Sequence, residues 1–247
     1  MLLLHAGVTD SRSWGPLRKR LGGSCRTIAH DRRGYGDTVA TPEPHDPVID
    51  ALAVLDAAGA ARATVVGASR GGRLAIDLAL LHPARVERLV LIGSGVAGAP
   101  PMDIAVFADP VRALEEAYVD AEESGDPDVL NRVEAHAWLD GWSARENRVR
   151  GFTRDLFLAM NGLHLQLAGQ AGPEIGGVPD AWNRVASITV PTLVLVGALD
   201  DTEIAASQHL GAAIPGARLE ILDGTGHLPH LEGHRHCLDL VADFLSA

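Results

Sequence analysis

The sequence predicts an α/β fold, with a doubly wound, mostly parallel sheet and one helical insertion. Three observations predict it: short apolar runs recur along the chain, stretches with helical spacing separate them, and one long block lacks any strand pattern. The runs at residues 89–92 and 193–196 are continuously apolar, which is typical of strands covered by helices on both faces. Regular alternation of strands and helices indicates a parallel sheet.

The individual elements follow from the same patterns. Runs rich in β-branched residues and leucine predict strands at residues 2–5, 26–30, 64–67, 88–92, 192–197 and 218–222. Apolar residues spaced three and four apart predict core helices at residues 14–21, 48–58, 71–81, 203–214 and 236–245. Each strand ends in a glycine or a polar turn, which is where open α/β sheets hold their sites.

The block from residue 99 to residue 184 predicts a helical lid over the carboxyl edge of the sheet. Its helical patterns lie at residues 109–123, 128–140 and 144–158. We therefore expect a core of residues 1–98 and 185–247 and a lid of residues 99–184. Its aromatic and apolar side chains suggest a small, largely apolar substrate, with Trp138 and Met160 as candidate contacts. The alternative is that these side chains pack inside the lid, together with Trp142, Phe152 and Phe157.

The strongest local motif is Gly67-Ala68-Ser69-Arg70-Gly71-Gly72, between a predicted strand and a predicted helix. In that context G-x-S-x-G predicts a nucleophile elbow, a tight turn that projects the serine hydroxyl out of the sheet. Flanking glycines leave room for the strand and the helix to pack closely. The competing interpretation is a glycine-rich turn with a serine helix cap. The elbow makes Ser69 the candidate nucleophile.

A serine hydroxyl needs a general base, and His227 is the candidate among the 11 histidines. It follows the strand 218–222 in Asp223-Gly224-Thr225-Gly226-His227. Asp200 follows the strand 192–197 and would hold the imidazole tautomer, which gives the chain order Ser, Asp, His. The neighbouring Asp201 is the alternative acid, although it also suits an N-cap for the helix 203–214.

Acyl transfer also requires donors for an oxyanion. One candidate is the backbone N–H of Arg70, directly after the nucleophile. The second is expected in the loop after the first strand, where Gly7 is preferred over Ala6, with His5 orienting the loop. The Arg70 side chain could bind a substrate carboxylate or form a structural ion pair.

Composition narrows the functional classes. The net charge of −11 argues against nucleic acid and against anionic membranes as partners. We therefore expect a small-molecule substrate, and the sequence does not indicate an oligomeric state. Cys25 and Cys237 lack zinc spacing, and no signal peptide or spanning segment is evident. We therefore expect a cytoplasmic protein. The histidines at 227, 230, 234 and 236 could suggest a metal site, but their spacing lacks HExxH.

Five ordered motifs together resemble the α/β-hydrolase superfamily, and in particular lid-bearing hydrolases related to enol-lactonases, C–C bond hydrolases and cofactor-free haloperoxidases. They lie at residues 4–7 with Trp14 downstream, 31–38, 67–72, 191–197 leading to Asp200, and 226–232. The resemblance implies oxyanion donation from Gly7 and neither a metal nor an organic cofactor. It implies a serine hydrolase for a small ester or lactone. A C–C bond hydrolase and a non-catalytic ligand-binding protein are the alternatives.

The sequence departs from this family at two points. Family members usually carry a β-hairpin before the strand that here begins at Leu2, so we expect the sheet to lack that edge hairpin, as a truncation or as a variant. The strand 26–30 would then be an unpaired edge. A proline that commonly follows shortly after the position of Glu232 is replaced by Gly233-His234-Arg235, for which we expect only a local effect.

Overall fold

A computed structural model describes residues 1–167 and 169–246. Within these residues six strands form one sheet that is parallel throughout, in the order β2-β1-β3-β4-β5-β6. The predicted doubly wound α/β fold is therefore confirmed. The strands are β1 (Leu2–Leu4), β2 (Ile28–Ala29), β3 (Ala63–Ala68), β4 (Val86–Ile92), β5 (Thr192–Gly197) and β6 (Arg218–Leu222).

Successive strand residues pack against opposite faces of the sheet. Val65 of β3 joins the hydrophobic cluster under one face, and Val66 joins the cluster under the other. In β4, Leu91 and Ile92 divide in the same way, and all four side chains are fully buried. Burial of both faces explains why these strands are apolar without interruption.

The helices cover both faces and follow the order of the chain. They are α1 (Gly15–Leu21), α2 (Pro47–Ala57), α3 (Arg70–Leu81), α4 (Asp109–Ser124), α5 (Pro127–Glu134), α6 (Phe152–Leu167), α7 (Ala181–Arg184), α8 (Ile204–Ala213), α9 (Pro229–Glu232) and α10 (Arg235–Ser246). Capping residues in the local sequence determine where several of these helices begin. Asp46 caps α2 by accepting from the N–H of Val48 at 2.8 Å, with Pro47 at the first helical position. Within residues 1–167 and 169–246, none of the helices combines the length and the apolar character that a membrane crossing requires.

Between β4 and β5 the chain is helical, as expected, but one boundary prediction is wrong. The segment 128–140 forms α5 and a π-helical turn, Ala135–Asp140. The predicted helix 144–158 does not form over its first half, and α6 begins only at Phe152. The reason is Asp140, whose carboxylate accepts from the N–H groups of Asn147 and Val149, both at 2.8 Å. These bonds fold residues 141–151 into turns, and Asn147 adopts a φ of 62°.

Candidate active site

Ser69 lies in the turn between β3 and α3 with a left-handed backbone conformation, φ 52° and ψ −120°. Its N–H donates to the carbonyl of Ile92 at 2.8 Å, which fixes the turn to the neighbouring strand β4. A Cβ atom at Gly67 or Gly71 would collide with backbone atoms of the elbow or of β1. The glycines are therefore required for this close packing, and the turn holds the serine in a strained conformation.

His227 and Asp200 form a buried pair beside this turn. The imidazole Nδ1 of His227 donates to Asp200 Oδ2 at 2.7 Å, and both residues are almost completely buried. Gly93, which the sequence analysis did not single out, backs the pair: a Cβ there would lie 2.9 Å from Asp200 Oδ2 and 3.0 Å from His227 Nδ1. Its position directly after β4, at the carboxyl edge of the sheet, was the sequence feature that could have identified it. The structure therefore brings together the acid and the base that the sequence predicted.

Electrostatics favour the charged form of His227. Burial by itself would lower its pKa, but the charge and the hydrogen bond of Asp200, with a contribution from Glu203, outweigh burial and raise the pKa. Asp201 takes a different position, because its carboxylate accepts from the N–H of Ser143 at 3.1 Å. The geometry thus connects Asp200, rather than Asp201, to the imidazole.

Hydrogen bonds behind the β1 loop orient the Ala6–Gly7 peptide. His5 Nε2 accepts from the N–H of Arg32 at 3.0 Å, so Nδ1 carries the proton and donates to the Ala6 carbonyl at 2.8 Å. The Arg32 guanidinium donates to the same carbonyl at 3.3 Å. In a trans peptide the following N–H points opposite to the carbonyl, so the N–H of Gly7 points away from these donors. Within the described residues neither it nor the N–H of Arg70 has an acceptor.

His5 itself is held neutral. Burial, followed by the charge of Arg32, places the pKa of His5 well below its ordinary value. Its role in the structure is thus orientation by hydrogen bonding, as the sequence analysis expected.

The candidate catalytic cavity, lined by Ser69 and His227, has a volume of about 250 Å³. The triad and oxyanion candidates on its wall are Ser69, His227, Gly7 and Arg70; the other lining residues are Val8, Tyr35, Tyr118, Glu134, Trp138, His164 and Leu165. The Trp138 ring lies 4.8 Å from the His227 ring, so the first of the two candidate substrate contacts does face the cavity. Met160 does not: it is fully buried in the hydrophobic core and is absent from the cavity wall.

The wall of this cavity also carries a buried carboxylate, Glu134, which no local sequence motif indicated. Glu134 Oε1 accepts from the Tyr118 hydroxyl at 2.8 Å, and Oε2 accepts from Asn161 Nδ2 at 2.5 Å. Burial raises the pKa of Glu134, although the two hydrogen bonds oppose that shift. Three separate helices supply this network, α4, α5 and α6, which explains why no short motif reveals it.

A further acid lies near the His227–Asp200 pair. Glu203 stands three residues after Asp200, and its N–H donates to the Asp200 carbonyl at 3.0 Å. Burial, together with the charge of Asp200, raises the pKa of Glu203 to about 7, while His227 opposes the shift. Glu203 was expected at the start of a helix, and no local pattern indicated its proximity to the imidazole.

The loop that carries His227 is tied to the helical segment. Glu232 accepts from the Thr225 hydroxyl at 2.6 Å and from the N–H of Gly226 at 2.9 Å. Arg148 forms a two-pronged ion pair with Glu232, at 2.7 Å and 2.8 Å, and also donates to the carbonyls of Leu139 and Asp140. Bidentate pairs of this kind fix geometry as well as charge.

Arg70 lines this cavity next to the elbow, and a second arginine, Arg32, shares its carboxylate partner. Arg70 pairs with Glu174 at 2.7 Å, and Arg32 approaches the same carboxylate at 3.5 Å. The Arg70 side chain thus forms the structural ion pair that the sequence analysis held open.

Across residues 1–167 and 169–246, no cluster of three or more His, Cys, Asp or Glu side chains could hold a metal ion. Of the histidines considered for such a site, His230 stacks on Trp14 with ring centres 4.3 Å apart. Burial lowers the pKa of His230 to about 3.

Comparisons with known proteins agree with this fold. A sequence model described as "Alpha/beta hydrolase family" matches residues 1–243. A 2-hydroxymuconate semialdehyde hydrolase from Pseudomonas sp. (strain CF600) is 28% identical over 254 residues, covering 100% of this chain and 86% of the relative. The enol-lactonase from Burkholderia xenovorans LB400 is 25% identical, with a TM-score of 0.72 over 100% of this chain and 90% of that one. A hydrolase from Pseudomonas aeruginosa PA01 is 26% identical, with a TM-score of 0.73 over 100% and 89%.

Proposed function

The chain belongs to the alpha/beta hydrolase family and is a hydrolase, and from that premise we propose that it is a serine hydrolase acting on a small, largely apolar ester or lactone. One observation carries the proposal. One cavity is lined by a serine in a strained strand–helix turn and by an imidazole that pairs with a buried carboxylate at 2.7 Å. This set of groups suits acyl transfer.

The proposed reaction has two steps. The Ser69 oxygen attacks the substrate carbonyl carbon while His227 takes the hydroxyl proton, and the N–H groups of Gly7 and Arg70 stabilise the oxyanion. His227 then gives the proton to the leaving oxygen, which leaves an acyl-enzyme on Ser69. Water attacks that ester, again losing its proton to His227, and the acid is released with the serine restored. Asp200 keeps the Nδ1 proton in place and stabilises the imidazolium throughout.

We also propose that residues 99–184 form a lid over a core of residues 1–98 and 185–247. Helices α4, α5 and α6 belong to this segment, and Tyr118, Glu134 and Trp138 from it line the catalytic cavity. The small volume and the Trp138 ring beside the imidazole favour a compact apolar acyl or alkyl group at the reacting carbon.

C–C bond hydrolysis with the same triad is the second candidate. It is favoured by the 28% identity to the 2-hydroxymuconate semialdehyde hydrolase over the full chain. The cleaved bond differs, but the same three side chains would carry the proton transfers.

The test is labelling with a fluorophosphonate probe, followed by a panel of p-nitrophenyl esters and lactones of graded chain length. We expect Ser69 to be labelled and the Ser69→Ala variant to be unlabelled. Activity in Ser69→Ala should fall on the order of 10⁴-fold or more. Folded protein that stays unlabelled would overturn the proposal. Cleavage of a C–C substrate such as 2-hydroxymuconate semialdehyde, without hydrolysis of any ester or lactone, would select the second candidate.

A further inference from the structure

A second cavity, of about 840 Å³, adjoins the catalytic one. Tyr118 and Trp138 line both cavities, and the Trp138 ring also lies beside His227. A group bound in the larger cavity therefore lies directly beyond the side chains that border the reacting centre. Glu203, near the catalytic pair, forms part of its wall.

The lining of this cavity combines aromatic rings with acids. Five aromatic side chains contribute, namely Phe107, Tyr118, Trp138, Trp142 and Trp182. Four acidic side chains contribute as well, namely Asp103, Glu115, Glu122 and Glu203, although burial raises the pKa of Glu203 to about 7. Among the described residues the wall contains neither lysine nor arginine, and its one histidine, His209, stacks on Trp182. The faces of aromatic rings attract cations, and carboxylates supply the opposite charge. The aromatic rings and the acidic side chains of this wall would therefore favour a cation over an anion.

The mouth of the cavity is apolar and open to solvent. Met102, Val106 and Val119 line it, with 50%, 76% and 43% of their surfaces exposed. Exposed apolar side chains gathered at one opening indicate a binding surface rather than random scatter. The net charge of −11 would draw positive ligands toward it.

Two polar groups of the same wall lack partners. The indole Nε1 of Trp142, a residue only 3% exposed, has no acceptor in the described part of the chain. The Thr202 hydroxyl has no hydrogen-bond partner there either. Buried donors of this kind normally find a partner. Both atoms are buried beneath the cavity surface, so the ligand class is argued from the aromatic and acidic side chains of the wall.

From these features we propose that the second cavity binds a hydrophobic organic cation, an alkyl- or arylammonium group, carried by the substrate. The proposal rests on the serine hydrolase function above and specifies its substrate class. The charges on the two sides of the elbow support it. Arg32, Arg70 and Arg73 lie together on the wall of another cavity beside Glu174, whereas the described wall of the aromatic cavity has acidic side chains and one histidine, His209, but no arginine or lysine. A substrate anion would be repelled there.

The test uses two esters of equal shape, 2-(trimethylammonio)ethyl butanoate and 3,3-dimethylbutyl butanoate, which differ by N⁺ in place of carbon. Binding is measured on Ser69→Ala by tryptophan fluorescence, because three of the four tryptophans line the cavity. We expect a Kd about tenfold lower for the cationic ester. Equal affinity for the two esters would overturn the inference while leaving the hydrolase proposal intact.

A pair of double variants tests the carboxylates. Combining Glu115→Gln with Glu122→Gln should reduce the cation preference about threefold or more. The matched control combines Glu116→Gln with Glu123→Gln, one position further along α4 in each case; these two exposed acids do not line the cavity. The control should keep the preference. A preference that survives the first pair, in protein whose circular dichroism is unchanged, would overturn the charge argument.

Turnover of the same esters by the unmodified enzyme separates the two proposals. We expect kcat/KM to favour the cationic ester by about tenfold. Selective binding without hydrolysis of either ester would refute the serine hydrolase function and leave the cation site standing. Selective binding with equal kcat/KM would refute the assignment of the cation to the substrate.

Discussion

Replacing Glu203 by glutamine should increase the free energy of unfolding relative to the wild type, and this difference should grow as the pH rises. Burial and the Asp200 charge raise the pKa of Glu203 from 4.5 to about 7. Between these values the folded state retains a proton that the unfolded state has lost, so the unfolded state binds fewer protons and stability falls with rising pH. The destabilisation caused by Glu203 is absent below the ordinary pKa of 4.5 and complete above the folded-state pKa of about 7.

The size of the effect follows from the shift. Each pKa unit corresponds to about 1.4 kcal/mol, so Glu203→Gln should gain roughly 2 to 3 kcal/mol relative to the wild type between about pH 5 and pH 8. For a chain of 247 residues that difference amounts to roughly 5 to 10 °C in Tm. Any constant cost of the buried amide cancels, because the quantity compared is the change with pH.

Urea unfolding of both proteins at a series of pH values measures it, with Glu116→Gln on the exposed face of α4 as the control. The control should track the wild type at every pH. If the stability difference between Glu203→Gln and the wild type does not grow from pH 5 to pH 8, the acid near the catalytic pair is not buried as described.

The same variant has a kinetic signature. Glu203 contributes to the raised pKa of His227, and the imidazole must be neutral to act as a base. Removing the carboxylate therefore lowers the pKa of His227 and moves the acidic limb of kcat/KM toward lower pH. A limb that stays in place or moves upward would contradict the electrostatic assignment.

Two further substitutions are informative. Asp200→Asn should reduce kcat on the order of 10³- to 10⁴-fold, because the amide no longer holds the His227 tautomer, whereas Asp201→Asn should cost less than about threefold; ester hydrolysis measures both. Gly71→Ala should destabilise the fold by about 3 kcal/mol or more, because the added methyl meets backbone atoms of β1. Gly95→Ala, where a methyl meets open space, should change the urea midpoint little.

Contrary results have specific meanings. A larger loss in Asp201→Asn than in Asp200→Asn would reassign the acid of the proposed triad. A stable Gly71→Ala protein with normal urea unfolding would mean that the elbow does not pack as closely as the structure shows.

Sequence patterns predicted the sheet well because its information is local. The run at residues 192–197 is a strand from end to end, since continuous apolar character and flanking turns belong to the strand itself. The first half of the helix predicted at 144–158 does not form, because a carboxylate just outside that range, Asp140, accepts from the N–H groups of Asn147 and Val149. Spacing of apolar residues carries no trace of that competition.

The site divides in the same way. Ser69 and His227 stand in motifs with a local geometric reason, and the structure brings Asp200 to the imidazole as that pattern predicted. Glu203 and Glu134 escaped detection because their environments come from elements far apart in the chain. Met160 was misassigned to the substrate because an apolar helical position looks alike whether it faces a cavity or the core.

The attachment of the segment after α5 to the loops of His227 and Asp200 has a consequence for protein engineering. The N–H of Trp142 donates to the Leu199 carbonyl at 3.1 Å, and Arg148 joins the same segment to Glu232. A graft that exchanges residues 99–184 entirely would discard the anchors of the base and acid loops along with the substrate wall. A graft limited to residues 103–126 would change part of the lining of the second cavity and keep those anchors. Chimeras should therefore be joined at residues 103 and 126.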